Sequence, residues 1–64
     1  MSFLKLHGVT AKTGLSRSHL YALAKAGQFP KPVKLSERSS AWVESEVNEW
    51  IEDRIAERDQ ESVH

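Results

Sequence analysis

The chain has 64 residues, no cysteine and a formal net charge of zero. A domain this small buries little surface, so nearly every large apolar residue must serve the core and no separate catalytic domain fits. The missing cysteines exclude a disulfide framework and a thiolate zinc site, and His7, His19 and His64 are too dispersed for a ligand motif, so neither metal nor cofactor is expected.

Met1 to Lys5 reads as a short extended lead-in, with Phe3 and Leu4 or Leu6 available to dock on a core. His7 to Thr13 can form a short first helix that turns Val9 inward, held by packing because Gly8, Val9 and Thr10 are indifferent helix formers. Gly14 can take positive φ to end it, Leu15 serves as an apolar pin, and Ser16 is a preferred N-cap. A second helix follows from about Arg17 to Ala26, stopped by Gly27 in a left-handed conformation. Leu20, Leu23 and Ala24 give it a buried stripe at i, i+3, i+4. Arg17, Ser18, His19, Tyr21, Ala22 and Lys25 then fall on its flanks and outer face, which carries two cations and no acid. Short helix, glycine-containing turn and basic-headed helix together read as a helix-turn-helix.

Phe29-Pro30-Lys31-Pro32 cannot continue a helix and forms a rigid connector. Val33-Lys34-Leu35 alternates as a strand does, Ser36 to Ser40 is turn-rich, and Ala41-Trp42-Val43 can return as a second strand, making a hairpin that leans on the helices through Leu35 and Trp42 or Val43. Ser45 is the best N-cap for a last helix from about Glu46 to Arg58, whose Val47, Trp50, Ile51 and Ile55 define an apolar face. Glu46, Glu49, Asp53 and Glu57 occupy its other side, a face that stays in water or meets a basic partner. The expected organisation is one domain over 1–58, mainly α with a small β-hairpin, and a flexible tail over 59–64. No signal peptide or apolar run of membrane length is evident, so a soluble, cytoplasmic protein without membrane contact is expected.

The zero net charge conceals segregation. Residues 1–40 carry seven Lys or Arg against Glu37 alone, whereas residues 41–64 carry eight Asp or Glu against Arg54 and Arg58. Such a molecule is bipolar, and its basic face can meet phosphates while its acidic face stays in solvent.

The ordered set Thr13-Gly14-Leu15-Ser16-Arg17-Ser18 with Leu20-Tyr21, then Gly27-Gln28-Phe29-Pro30-Lys31-Pro32-Val33-Lys34-Leu35, then Ala41-Trp42-Val43-Glu44-Ser45-Glu46-Val47 with Trp50-Ile51, resembles the AlpA-type phage and prophage regulators. These are small winged-helix-like proteins related in fold to excisionases and to the DNA-binding heads of MerR-type regulators, and the likeness spans about Lys5 to Arg58. The resemblance implies a double-stranded DNA-binding protein that regulates transcription, often of an integrase gene, or acts as a recombination directionality factor. Integrase and further copies of the chain on adjacent sites are the implied partners.

Within that frame Arg17 is assigned to a base edge or phosphate, Ser18 to a phosphate or base, and His19 to the groove or to ordinary surface. Tyr21 can pack its ring on the core edge with its hydroxyl on a phosphate, and Lys25 supplies a phosphate contact. Lys34 and Arg38 in the hairpin are candidates for backbone and minor-groove contact, with Lys12, Ser16 and Lys31 as further phosphate neighbours. Trp42 and Trp50 fit core packing better than base stacking. Ser18 and His19, adjacent on a helix, point in different directions and have no orienting carboxylate, so no enzyme is expected. The competing reading is a protein-interaction module that inhibits a basic partner through the acidic face of the last helix.

Overall fold

The computed structural model describes residues 2–61. The elements run β1 (Phe3–Leu4), α1 (Leu6–Thr13), α2 (Arg17–Lys25), β2 (Val33–Ser36), β3 (Ser39–Val43) and α3 (Glu44–Glu61). The strands form one antiparallel sheet in the order β1-β3-β2. The wing is therefore a three-stranded sheet, not an isolated hairpin: the lead-in pairs along β3, with Phe3 opposite Val43 and Leu4 opposite Trp42. That third strand relieves the hairpin of standing alone.

Local chemistry sets the helix ends. Gly14 caps α1 at φ 75° and its N–H donates to the Thr10 carbonyl at 2.8 Å. The Thr13 hydroxyl donates back to the Val9 carbonyl and accepts from the Leu15 N–H, closing the turn between the two helices. Ser16 is extended at φ −73°, ψ 162°, and its hydroxyl accepts the His19 N–H at 3.2 Å, the expected N-cap of α2. At the other end Gly27 sits at φ 77°, the Gly27 N–H donates to the Ala24 carbonyl and the Gln28 N–H to the Leu23 carbonyl. This is the Schellman arrangement, which satisfies carbonyls a helix end leaves bare.

The core is Val9, Leu20, Ala24, Phe29, Trp42 and Val47, with Leu4, Leu6, Leu15, Leu23, Trp50 and Ile51 packed around it. Each helix and the central strand contributes, as the periodicity requires. Trp42 is fully buried and donates its Nε1–H to the Pro30 carbonyl at 2.8 Å. Trp50, half-buried, donates to the Gln28 carbonyl at 2.8 Å and meets the Phe29 ring edge-on. Both indoles thus clamp the Phe-Pro connector onto the sheet and α3.

Four expectations need correction. Ser45 does not cap α3, which begins at Glu44; the Glu44 N–H donates instead to the carbonyl of Ser2, the residue before β1, at 2.8 Å, so the lead-in does the work of a cap. Leu35 does not lean on the helices: the β2 register slips between Lys34 and Ser36, the bulge breaks the alternation, and Leu35 stays exposed. Ile55 continues the apolar period of α3 but is also exposed, because an 18-residue helix of about 27 Å outruns the small body it packs on. The helix extends to Glu61 rather than ending near Arg58, since Asp59, Gln60 and Glu61 offer nothing that stops it. The remainder of the expected tail, residues 62–64, lies outside the described residues, as does His64.

Candidate nucleic-acid interface

A helix places successive side chains about 100° apart, so the buried Leu20 and Ala24 and the half-buried Leu23 dictate what the rest of α2 presents. Ser18, Ala22 and Lys25 form the ridge farthest from the core. Arg17 and Tyr21 lie together on one flank, and His19 lies on the other. All of these residues are exposed. The expected face of α2 is thus one surface, except that His19 is turned away from the Arg17–Tyr21 pair.

The Arg17–Tyr21 flank has internal structure. The Arg17 guanidinium carbon lies 5.9 Å from the centroid of the Tyr21 ring, and that ring lies 5.7 Å from Trp42 at an interplanar angle of 60°. Arg17 and Tyr21 are one helical turn apart, the spacing at which side chains meet. The surface cation therefore rests on an aromatic ring that rests on the buried indole.

The wing lies beside this flank. Lys34 pairs with Ser40, and Ser40 has the strand parity of Trp42, so Lys34 belongs to the sheet face that carries Trp42 and Tyr21. Arg38 occupies the two-residue turn with Glu37, at the tip between the paired Ser36 and Ser39. Among the described residues no non-glycine has positive φ, so this turn is not of the primed type that matches strand twist, and the adjacent bulge takes up the mismatch. Lys31 is exposed in the connector.

Two of the supporting residues are already engaged. Lys12 forms an ion pair with Glu44 at 3.4 Å, which ties α1 to α3 and draws its charge away from the α2 surface. The Ser16 hydroxyl accepts the His19 N–H and leaves its own proton available to donate. Lys5, which composition alone did not single out, reaches across the sequence to hydrogen-bond the Ser39 hydroxyl at the start of β3, placing another cation at the wing. Nothing local in the sequence announces that contact.

The charges segregate in space as they do in sequence. Arg17, Lys25, Lys31, Lys34 and Arg38 form no ion pair among the described residues, nor do Glu46, Glu49, Glu52 and Asp53 on α3. The two α3 arginines are neutralised locally, Arg54 by Glu57 at 2.8 Å and Arg58 by Asp59 at 3.0 Å. Arg54 also lies 5.2 Å over the Trp50 ring, beside a shallow groove lined by Leu23, Phe29 and Pro30. No helix among the described residues is long and apolar enough to cross a membrane.

Helix, glycine turn, capped basic helix and adjoining β-sheet define a small winged helix-turn-helix domain. The chain belongs to the family of the prophage CP4-57 regulatory protein AlpA, whose model matches residues 2–55. It is 45% identical over 56 residues to an uncharacterized protein, ORF88, of Enterobacteria phage P4, an alignment covering 88% of this chain and 64% of that one. It is 33% identical over 57 residues to the DNA-binding transcriptional activator AlpA of Escherichia coli (strain K12), covering 80% of this chain and 81% of that one. The chain thus spans just under two thirds of the phage P4 relative and about four fifths of the Escherichia coli one.

Proposed function

We propose that this protein is a double-stranded DNA-binding transcriptional regulator of a phage or mobile element, acting on an integrase gene or directly as a recombination directionality factor. The observation that carries the reading is the capped, acid-free outer face of α2, with Arg17 and Lys25, beside a wing with Lys34 and Arg38, all four without an ion pair among the described residues. The name of the Escherichia coli relative, a DNA-binding transcriptional activator, supports it. In this reading the protein works in the cytoplasm, takes no cofactor and performs no catalytic step.

The α2 ridge enters the major groove. Arg17 reaches a base edge or phosphate, Ser18 and Lys25 contact the backbone, and Tyr21 offers its hydroxyl to a phosphate. Lys34 and Arg38 follow the neighbouring backbone or minor groove, with Ser16 and Lys31 as outlying phosphate contacts. His19, on the opposite flank, meets DNA only where the duplex wraps that side. Nine residues of helix span about 14 Å and read only a few base pairs, so several copies on adjacent sites supply the missing sequence information.

A second reading is favoured by Glu46, Glu49, Glu52 and Asp53, which form no ion pair among the described residues: this face receives a basic protein surface, from integrase or a neighbouring copy. One titration separates the roles. On duplex from the parent element's promoter, affinity should fall with salt at a log-log slope of about −0.9 per phosphate neutralised. Arg17→Ala should weaken it by about 1 to 3 kcal/mol, while reversing Glu49 and Asp53 to lysine should leave single-site affinity intact and alter only the number of copies bound. Unchanged binding by Arg17→Ala removes that residue from the site.

A further inference from the structure

On the DNA-binding reading above, we infer that Tyr21 is a positioning residue for Arg17, its ring forming a platform between the exposed guanidinium and the buried Trp42 that holds the arginine ready for a base edge. The distances support this. The guanidinium carbon is 5.9 Å from the ring centroid, within the range over which a cation is attracted to an aromatic face, and the ring is 5.7 Å from Trp42. Trp42 is itself immobilised, 1% exposed and hydrogen-bonded to the Pro30 carbonyl.

Among the described residues nothing else holds Arg17. It joins no ion pair, and its neighbours on α2 include no acid. An arginine without a support samples many rotamers and must lose that freedom on reaching a bidentate contact; a ring beneath it removes part of the freedom beforehand. Tyr21 is 39% exposed, so its face is only partly used by the core and remains available to the cation.

The platform also links the two elements expected to touch DNA. Tyr21 belongs to α2 and Trp42 to β3, whose Ser40 pairs with Lys34. The ring therefore fixes Arg17 relative to the wing as well as to its own helix. Base discrimination depends on such placement, whereas phosphate attraction does not. Loss of the platform should accordingly reduce preference between duplexes more than it reduces general affinity.

The test uses Tyr21→Phe, which keeps the ring, and Tyr21→Leu, which keeps apolar contact with Trp42 but removes the π face. Each is made alone and with Arg17→Ala, and folding of each is checked by its melting curve. The probes are the duplex that the unmodified protein selects from a randomised pool and a scrambled duplex of equal length, titrated at low salt so that Arg17→Ala still binds. Tyr21→Phe gives up the hydroxyl's phosphate contact and nothing else, so it should weaken both duplexes alike and keep the preference between them. Relative to Tyr21→Phe, Tyr21→Leu should lose a further factor of about two to five on the selected duplex, with no change on the scrambled one or in salt slope, and the two variants should bind equally when Arg17 is already alanine. In the free protein, Arg17 side-chain protons should show an upfield ring-current shift that Tyr21→Phe retains and Tyr21→Leu abolishes. The inference is overturned if that shift is absent, if Tyr21→Leu lowers affinity for both duplexes equally relative to Tyr21→Phe, or if the difference between those two variants persists beside Arg17→Ala. A shifted Arg17 in a protein that binds no duplex overturns the DNA-binding reading itself, and with it the role of the platform.

Discussion

Truncating each tryptophan to alanine sets the two indoles against one another. Trp42 is 1% exposed, touches Tyr21 and is hydrogen-bonded to Pro30, so Trp42→Ala removes a fully enclosed side chain and leaves a void. Truncations of this kind cost about 3 to 5 kcal/mol. A core of this size supplies roughly 3 to 5 kcal/mol of net stability, so Trp42→Ala should be largely unfolded. Trp50 is half-buried, and its truncation opens onto solvent. What it loses is the edge contact with Phe29 at 4.9 Å, the hydrogen bond to the Gln28 carbonyl at 2.8 Å and the Arg54 guanidinium at 5.2 Å. These amount to about 1.5 to 4 kcal/mol. Trp50→Ala should therefore remain folded at low temperature, with its melting point lowered by about 4 to 8 °C for each kcal/mol lost. Urea titrations followed by circular dichroism, with the remaining tryptophan's fluorescence as a second probe, measure both. A Trp50→Ala protein less stable than Trp42→Ala, or a Trp42→Ala protein that still unfolds cooperatively near the unmodified midpoint, would refute this ranking.

The capping residues give sharper, smaller effects. Ser16→Ala removes the acceptor of the His19 N–H and should cost about 1 kcal/mol in urea unfolding. At Gly27 nothing lies within 4 Å of an added Cβ, so Gly27→Ala should cost about 1 to 2 kcal/mol through its φ of 77° alone. Leu35→Ser should shift stability by no more than about 0.5 kcal/mol, because that side chain is exposed beyond the bulge; a larger loss would mean that the wing packs through it.

What was legible in the sequence was what local chemistry decides. Gly14, Ser16 and Gly27 act through their own φ or their own hydroxyl, and α2 starts and stops where those residues put it. The buried stripe of α2 follows from a period of 3.6, which is why its outer face could be read without a structure. The pairing of Leu4 with Trp42 was not legible, because two-residue β1 has no pattern of its own and is defined by a partner nearly forty positions away. The start of α3 was misplaced for the same reason: its first N–H is satisfied by Ser2, which the local sequence cannot indicate, so Ser45 looked like the cap. In the site, the i, i+4 spacing of Arg17 and Tyr21 was visible, but the indole beneath Tyr21 was not. Leu35 and Ile55 kept the right period and lost their burial, one to a bulge and one to a helix longer than its support.

The placement of charge separates what holds this fold from what it is proposed to do. Each ion pair among Lys12–Glu44, Arg54–Glu57 and Arg58–Asp59 is at least a third exposed, and such pairs contribute about 0 to 1 kcal/mol apiece. The stability of the domain comes instead from the apolar cluster around Trp42, the two indole hydrogen bonds and the capped helix ends. Meanwhile Arg17, Lys25, Lys34 and Arg38 form no ion pair among the described residues, even though the chain has nine acids to its nine Lys and Arg. Pairing them internally would have added little stability and would have cancelled the field that a phosphate backbone would meet. Salt screens exposed charges over about 8 Å at physiological ionic strength, so added salt should barely move the unfolding midpoint while it sharply weakens duplex binding. A net charge of zero is therefore compatible with nucleic-acid recognition here, because eight of the nine acids lie along α3, with only Glu37 in the wing, and the cations without ion pairs lie on α2, the connector and the wing.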